Sequence, residues 1–336
     1  MPFPTEWAPF LCLLLTTLQH LYNLRANAQW LLPDVINPFN TRDVPRGSNA
    51  TLQSRLEVRV NDPANKRSLS GKERLIVALD VPTHDEAVRL VRLLEDVSFF
   101  KIGLQLFLTG QVLDLIRTLR EDRDGKVFLD IKWGGDIGNT AGEFMQACIA
   151  SRIVKFITLI EASDVRITQQ TISAGLAARH SANVEFPHFL MVPYLSSLDS
   201  SDLEQTLQRA DVNSYILERG KAMLDLGCDG LIVSGDAIQL CRDKFPSIDI
   251  VSPGVRPAWA SHDDHKRFTT PSQAIRMGAD YLVVGRPIIK AGDPRAAAQR
   301  IISEIDQELE RPAGNRSSSS GGGTPQNYTL AAKSQR

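Results

Sequence analysis

The chain has 336 residues and a formal net charge of −1. That balance gives no electrostatic basis for gripping nucleic acid or an anionic membrane, so any anionic ligand must be held by local groups. Hydrophobic residues make up 43% and charged residues 23%, which supports a sizeable core and fits an ordinary globular protein.

Residues 1–70 lack sustained periodicity and end in the polar run NDPANKRSLSGKE, so they read as a partly disordered extension. The apolar stretch Phe10–Leu18 follows Glu6 with no preceding Lys or Arg and is too short to cross a bilayer. No export or anchoring is expected from it. Asn49-Ala50-Thr51 fits a glycosylation triplet, a pattern too frequent to decide anything. Cys12, Cys148, Cys228 and Cys241 form no C-x-x-C pair and read as small apolar residues of a protein in the reducing cytoplasm.

From residue 71 to 311 short apolar runs alternate with helical stretches. The expected strands are Leu75–Leu79, Phe99–Gly103, Lys126–Ile131, Lys155–Ile160, His188–Val192, Gly230–Ser234, Asp249–Ser252 and Tyr281–Gly285. Each is nearly continuous in apolar residues, as parallel strands covered by helices are. Between them, Asp85–Leu94 puts Ala87, Val88, Leu90, Val91 and Leu94 on one face. Ser214–Leu226 does so with Tyr215, Leu217, Ala222, Met223 and Leu226, and Gly227 ends it. Eight such units predict one (β/α)₈ TIM barrel, an α/β fold, with an open doubly wound sheet as the alternative. Ser317–Gly323 lies in a flexible polar tail, residues 312–336.

Barrels of this kind place reactive groups at the C-terminal ends of their strands. The expected strands end in or carry charges there: Asp80, Lys101, and Asp130 with Lys132. Asp130 and Lys132 are two apart and so share a face of a strand. Asp136 follows, with Asp136 or Asn139 placed to cap a helix running from about Thr140. A salt bridge plus a helix cap would use the same residue types. Four charges converging on a barrel interior, however, are costly to bury without a task. After the last strand Gly285-Arg286 forms a basic turn, and Ser252-Pro253-Gly254-Val255-Arg256-Pro257 forms another beside it. Backbone N–H groups and arginines at this place suit a phosphate.

These residues carry a resemblance. LIVALDVP (75–82), FFKIGLQLF (99–107), FLDIK with DIGNT (128–140), SPGVRP (252–257) and GADYLVVGRPI (278–288) are similar, in order, to the orotidine 5′-phosphate decarboxylase family. The resemblance implies a cofactor-free, metal-free carboxy-lyase of pyrimidine biosynthesis that takes a nucleotide substrate. It implies that Asp80 and Lys101 hold the ribose hydroxyls and that Lys101, Asp130, Lys132 and Asp136 form an alternating charge array, with Lys132 as proton donor. Ser196 falls where the family contacts the pyrimidine amide, and Arg256, His265, Gly285 and Arg286 where it handles phosphate. Asp136, Ile137 and Thr140 would reach a neighbouring subunit's site, which implies a homodimer.

Three departures stand out. Trp133, Gly134 and Gly135 separate Lys132 from Asp136, where the family usually has two residues. His265 stands where a glutamine is typical, and Glu161 where a histidine is common. Loop Pro253–Asp264 is long and polar enough to serve as a lid. Two other functions fit parts of the pattern. A Mg²⁺-dependent sugar-phosphate decarboxylase or aldolase of the same barrel would use a similar D-x-K…D array. A barrel that binds a phosphorylated ligand without turnover needs only the phosphate end.

Overall fold

A computed structural model describes residues 68–122, 125–162, 164–260 and 269–311. Residues 1–67 of the predicted extension over 1–70, the tail from 312, Cys12, the Phe10–Leu18 stretch and the Asn49 triplet lie outside the described residues, while Ser70 caps the first helix. The strands are β1 (Leu75–Ala78), β2 (Phe99–Gly103), β3 (Lys126–Trp133), β4 (Val154–Leu159), β5 (His188–Met191), β6 (Gly230–Ile232), β7 (Asp249–Ser252) and β8 (Tyr281–Val284). They pair in parallel in chain order and close through β1 with β8, where Leu75 faces Leu282. The (β/α)₈ expectation holds, with most strand ends shifted by one or two residues.

The helices are α1 (Gly71–Arg74), α2 (His84–Leu93), α3 (Leu104–Phe107), α4 (Val112–Asp122), α5 (Gly138–Ser151) and α6 (Val165–Ala182). They continue with α7 (Ser200–Leu207), α8 (Val212–Asp225), α9 (Ala237–Lys244), α10 (Pro271–Arg276), α11 (Arg286–Ile289) and α12 (Pro294–Leu309). None of the described helices is long and apolar enough to cross a membrane. Thr83 caps α2 by accepting from the Glu86 N–H at 3.3 Å, and Ala87, Leu90 and Val91 are buried as predicted.

On the face predicted for α8, Met223 is buried as expected and Tyr215, Leu217, Ala222 and Leu226 pack half-buried against the core, but the fully buried line of this helix runs elsewhere. Asp211 caps it, and the buried residues are Val212, Ile216, Gly220 and Met223. A Cβ on Gly220 would stand 2.8 Å from a Leu231 methyl, so this glycine lets the helix lie close on β6. The capping prediction for α5 is also revised. Its N-cap is Ile137 with no side-chain bond, while Asp136 Oδ1 accepts from the Ile137 N–H at 2.7 Å.

The core has two layers. The larger lies between strands and helices; the smaller fills the barrel axis with Ile76, Ala78, Phe99, Phe128, Phe156, Leu190, Ile232, Val251 and Val283. The phenylalanine rings interlock, with centroids 5.3 Å apart for Phe99–Phe156 and 5.9 Å for Phe128–Phe156. They plug the barrel below its C-terminal rim.

Candidate active site

Side chains on a strand alternate, so the residue two positions beyond each member of the axial layer is the next to face inward. This rule takes Ala78 to Asp80, Phe99 to Lys101, Phe128 to Asp130, Phe156 to Thr158, Ile232 to Ser234 and Val283 to Gly285. A polar ring therefore rests directly on an aromatic floor. Above it opens a cavity of about 660 Å³ whose wall includes Asp80, Lys101, Asp130, Lys132, Arg256 and Arg286.

The charges in this ring alternate. Lys101 Nζ lies 2.9 Å from Asp80 Oδ1 and 3.0 Å from Asp130 Oδ2. Lys132 Nζ lies 2.9 Å from Asp130 Oδ1, and the Thr158 hydroxyl donates to the same oxygen at 2.9 Å. Lys101 is buried. Burial alone would pull its pKa down, but the carboxylates of Asp130 and Asp80 outweigh it and hold the ammonium above its ordinary value. Burial pushes Asp130 up, while the charges of Lys101 and Lys132 and their hydrogen bonds bring it below the usual carboxylate range. Both groups are ionised at neutral pH. An ammonium thus stands between two carboxylates and neutralises them.

Lys132 does not lie on a regular pleat. Leu129 faces Ile157 and Trp133 faces Leu159, so β3 spends two more residues than β4 between those pairs. In that bulge Lys132 takes φ 47°, a left-handed conformation rare outside glycine. The predicted contact with Asp130 forms, although simple strand alternation is not what creates it. After the bulge Trp133 packs on Phe144, with ring centroids 4.7 Å apart. Gly135 has φ 100°, and the Thr171 hydroxyl accepts from the Asp136 N–H at 2.9 Å and donates to its carbonyl at 3.0 Å. The three-residue segment is thereby pinned to α6.

At the opposite wall, β7 and β8 deliver the basic groups. Arg256 is buried, its Nη1 donating to the Val255 carbonyl at 3.0 Å, and its backbone N–H donates to the Thr269 carbonyl at 2.8 Å. The bridge between Val255 and Thr269 closes the stem of the loop expected to act as a lid. Residues 261–268 of that loop, His265 included, lie outside the described residues. Arg286 opens α11, and Lys290 at its end joins the cavity wall. Ser196, in the loop after β5, lines the same cavity. Among the described residues no three His, Cys, Asp or Glu side chains cluster as a metal cage.

Residues 73–301 match the family described as orotidine 5'-phosphate decarboxylase / HUMPS. The orotidine 5'-phosphate decarboxylase of Methylococcus capsulatus is 41% identical over 236 residues, covering 69% of this chain and 92% of that protein. The chain belongs to the orotidine 5′-phosphate decarboxylase family. The namesake protein of Rhodopseudomonas palustris strain BisA53 is 40% identical over 239 residues, covering 70% of this chain and 96% of its own. Among solved structures, orotidine 5'-phosphate decarboxylase from Lactobacillus acidophilus superimposes with a TM-score of 0.57 at 30% identity, over 69% of this chain and 98% of that one.

Within the decarboxylase barrel, Asp80, Lys101, Asp130, Lys132, Ser196, Arg256, Gly285 and Arg286 come together around one cavity. Asp136, Ile137 and Thr140 do not: all three are exposed outside that wall. Glu161, the departure at the fourth strand, forms an ion pair with Arg219 of α8 and so ties β4's end to a helix. Thr158, Ser234 and Lys290 were not anticipated. For the first two the signal was present in the sequence, as the inward positions two beyond Phe156 and Ile232. Lys290 had none, because its approach depends on the turn made by α11.

Proposed function

We propose that the chain removes CO₂ from C6 of orotidine 5′-phosphate and yields UMP, in de novo pyrimidine biosynthesis, with Lys132 as the proton donor. The observation that carries this reading is the unbroken Asp80–Lys101–Asp130–Lys132 chain, which opens into the same cavity as Arg256 and Arg286. Breaking the C6–carboxylate bond leaves an electron pair in the plane of the pyrimidine ring, where the π system does not delocalise it. A fixed ammonium against C6 stabilises that charge as it develops and then delivers a proton to it. Asp130 keeps Lys132 charged and oriented, and Lys101 in turn holds Asp130. Asp80 and Lys101 bind the ribose hydroxyls, Ser196 the pyrimidine amide, and Arg256, Gly285 and Arg286 the phosphate, with His265 assigned to the phosphate loop. The chain's own ammonium groups supply the positive charge, so neither metal nor cofactor enters this mechanism.

Asp136, Ile137 and Thr140 are assigned to the site of a second copy in a homodimer, Asp136 completing the partner's charge array. Ile137 is 58% exposed, and Leu104, Leu108 and Leu195 are exposed in other segments that follow strand ends on the same side of the barrel. Such an apolar rim is what a subunit face supplies. Cys148, Cys228 and Cys241 are buried without a disulfide, which fits a reducing, cytoplasmic setting.

The test is to incubate metal-stripped protein with orotidylate and follow UMP and CO₂. Both are expected in equal amounts, unaffected by a chelator. Turnover restored only by Mg²⁺ would point to the sugar-phosphate chemistry of related barrels, and tight UMP binding without turnover to a binding protein. In the same assay Lys132→Ala is expected to lower turnover at least about 10³-fold, or ~4 kcal/mol, with the thermal midpoint close to the parent's.

A further inference from the structure

We infer that Thr158 is a positioning residue for this reaction: its hydroxyl fixes the Asp130 carboxylate so that one oxygen faces Lys132 while the other faces Lys101. The inference rests on the proposed roles of Asp130 and Lys132. Thr158 is fully buried on β4, two residues beyond Phe156, a member of the polar ring that does not itself line the cavity. Valine would fill the same space, so a buried hydroxyl there needs a partner, and the partner is Asp130 Oδ1 at 2.9 Å.

The three donors to Asp130 differ in rigidity. Lys132 is a long chain with its side chain 43% exposed, and Lys101 is shared with Asp80. Thr158 is β-branched, stiff about its first side-chain torsion, and sits on a strand paired on both sides. It is therefore the donor that does not move during turnover. When Lys132 passes its proton to C6, the nitrogen becomes a neutral amine and ceases to be a cationic partner of Asp130. Thr158 still donates at that moment. The carboxylate keeps its orientation, and Lys132 returns to the same place when it takes up a proton from water.

The experiment uses the full chain, with single-turnover UMP formation reporting chemistry and UMP titration reporting binding. Thr158→Val is expected to slow single turnover by about tenfold or more and to leave the Kd for UMP within about threefold. Thr158→Ser, which keeps the hydroxyl and loses the methyl, is expected to stay within about threefold of the parent in both. Parental single turnover in Thr158→Val overturns the inference, as does a loss in Thr158→Ser equal to that in Thr158→Val, which would assign the effect to methyl packing. Should Thr158→Val not fold, Thr158→Cys takes its place: it keeps the shape of the serine variant with a weaker donor, and the two are compared by the same readouts. Lys132→Ala is run alongside. If it retains parental turnover, the assignment of the site itself fails; if it is inactive while Thr158→Val is normal, only the role of Thr158 does.

Discussion

In Lys132 the role proposed for it, proton donor, coincides with a strained backbone. Its left-handed backbone at φ 47° costs about 1–2 kcal/mol for any side chain with a Cβ. Alanine keeps that cost and glycine removes it. Lys132→Gly is therefore expected to be more stable than Lys132→Ala by about 1 kcal/mol, after glycine's larger unfolded-state entropy is counted. Urea denaturation of the two inactive variants measures the difference, and an alanine variant of equal or greater stability would show that the bulge is not strained. At this scale the sequence was informative about charge, whereas for the hydroxyls it offered only a position, two residues beyond an axial apolar side chain. Asp80, Lys101, Asp130 and Lys132 stood out because charges at the ends of apolar strands need a reason. Thr158 did not, because threonine in a strand is ordinary whether or not its hydroxyl has work to do.

Among the elements, the segment from β3 to α5 is where the family pattern is altered and where local geometry decides the outcome. Gly134 and Gly135 look equivalent in the sequence but are not. Gly135 has φ 100°, and a Cβ there would stand 2.6 Å from the Thr171 hydroxyl that holds Asp136; around Gly134 nothing lies within 4 Å. Gly135→Ala is expected to cost about 2 kcal/mol and to lower turnover by displacing Asp136, while Gly134→Ala stays within about 0.5 kcal/mol of the parent. Chemical denaturation with a parallel activity assay checks both, and equal behaviour of the two would refute the pinning by Thr171. The strands were legible because both faces of each are covered, so they read as apolar runs. The buried line of α8 was legible only in part, because Tyr215, Leu217 and Leu226 beside it are apolar too, and Gly220 contributes closeness rather than hydrophobicity and so leaves no mark in an apolar pattern.

For the whole molecule, the question is how many sites a single chain can complete. Its cavity holds the ring from Asp80 to Lys132, but Asp136 stands outside it. If two copies share their sites, Lys132→Ala and Asp136→Ala are each inactive alone. Mixed and allowed to exchange subunits, they regain up to about a quarter of parental activity, because half the dimers are hybrids with one intact site. Recovery of nothing, with hybrid dimers demonstrated, would place Asp136 in its own chain's site. No periodicity in the sequence could reveal this; that expectation came from the family resemblance alone.

The floor of interlocked phenylalanines beneath the polar ring has a consequence for traffic. It makes the reaction chamber a blind alley, sealed along the barrel axis by Phe99, Phe128 and Phe156, each almost wholly inaccessible to solvent. On the proposed mechanism, nucleotide entry, gas escape and the proton that recharges Lys132 would all use the opening of the cavity at the C-terminal rim.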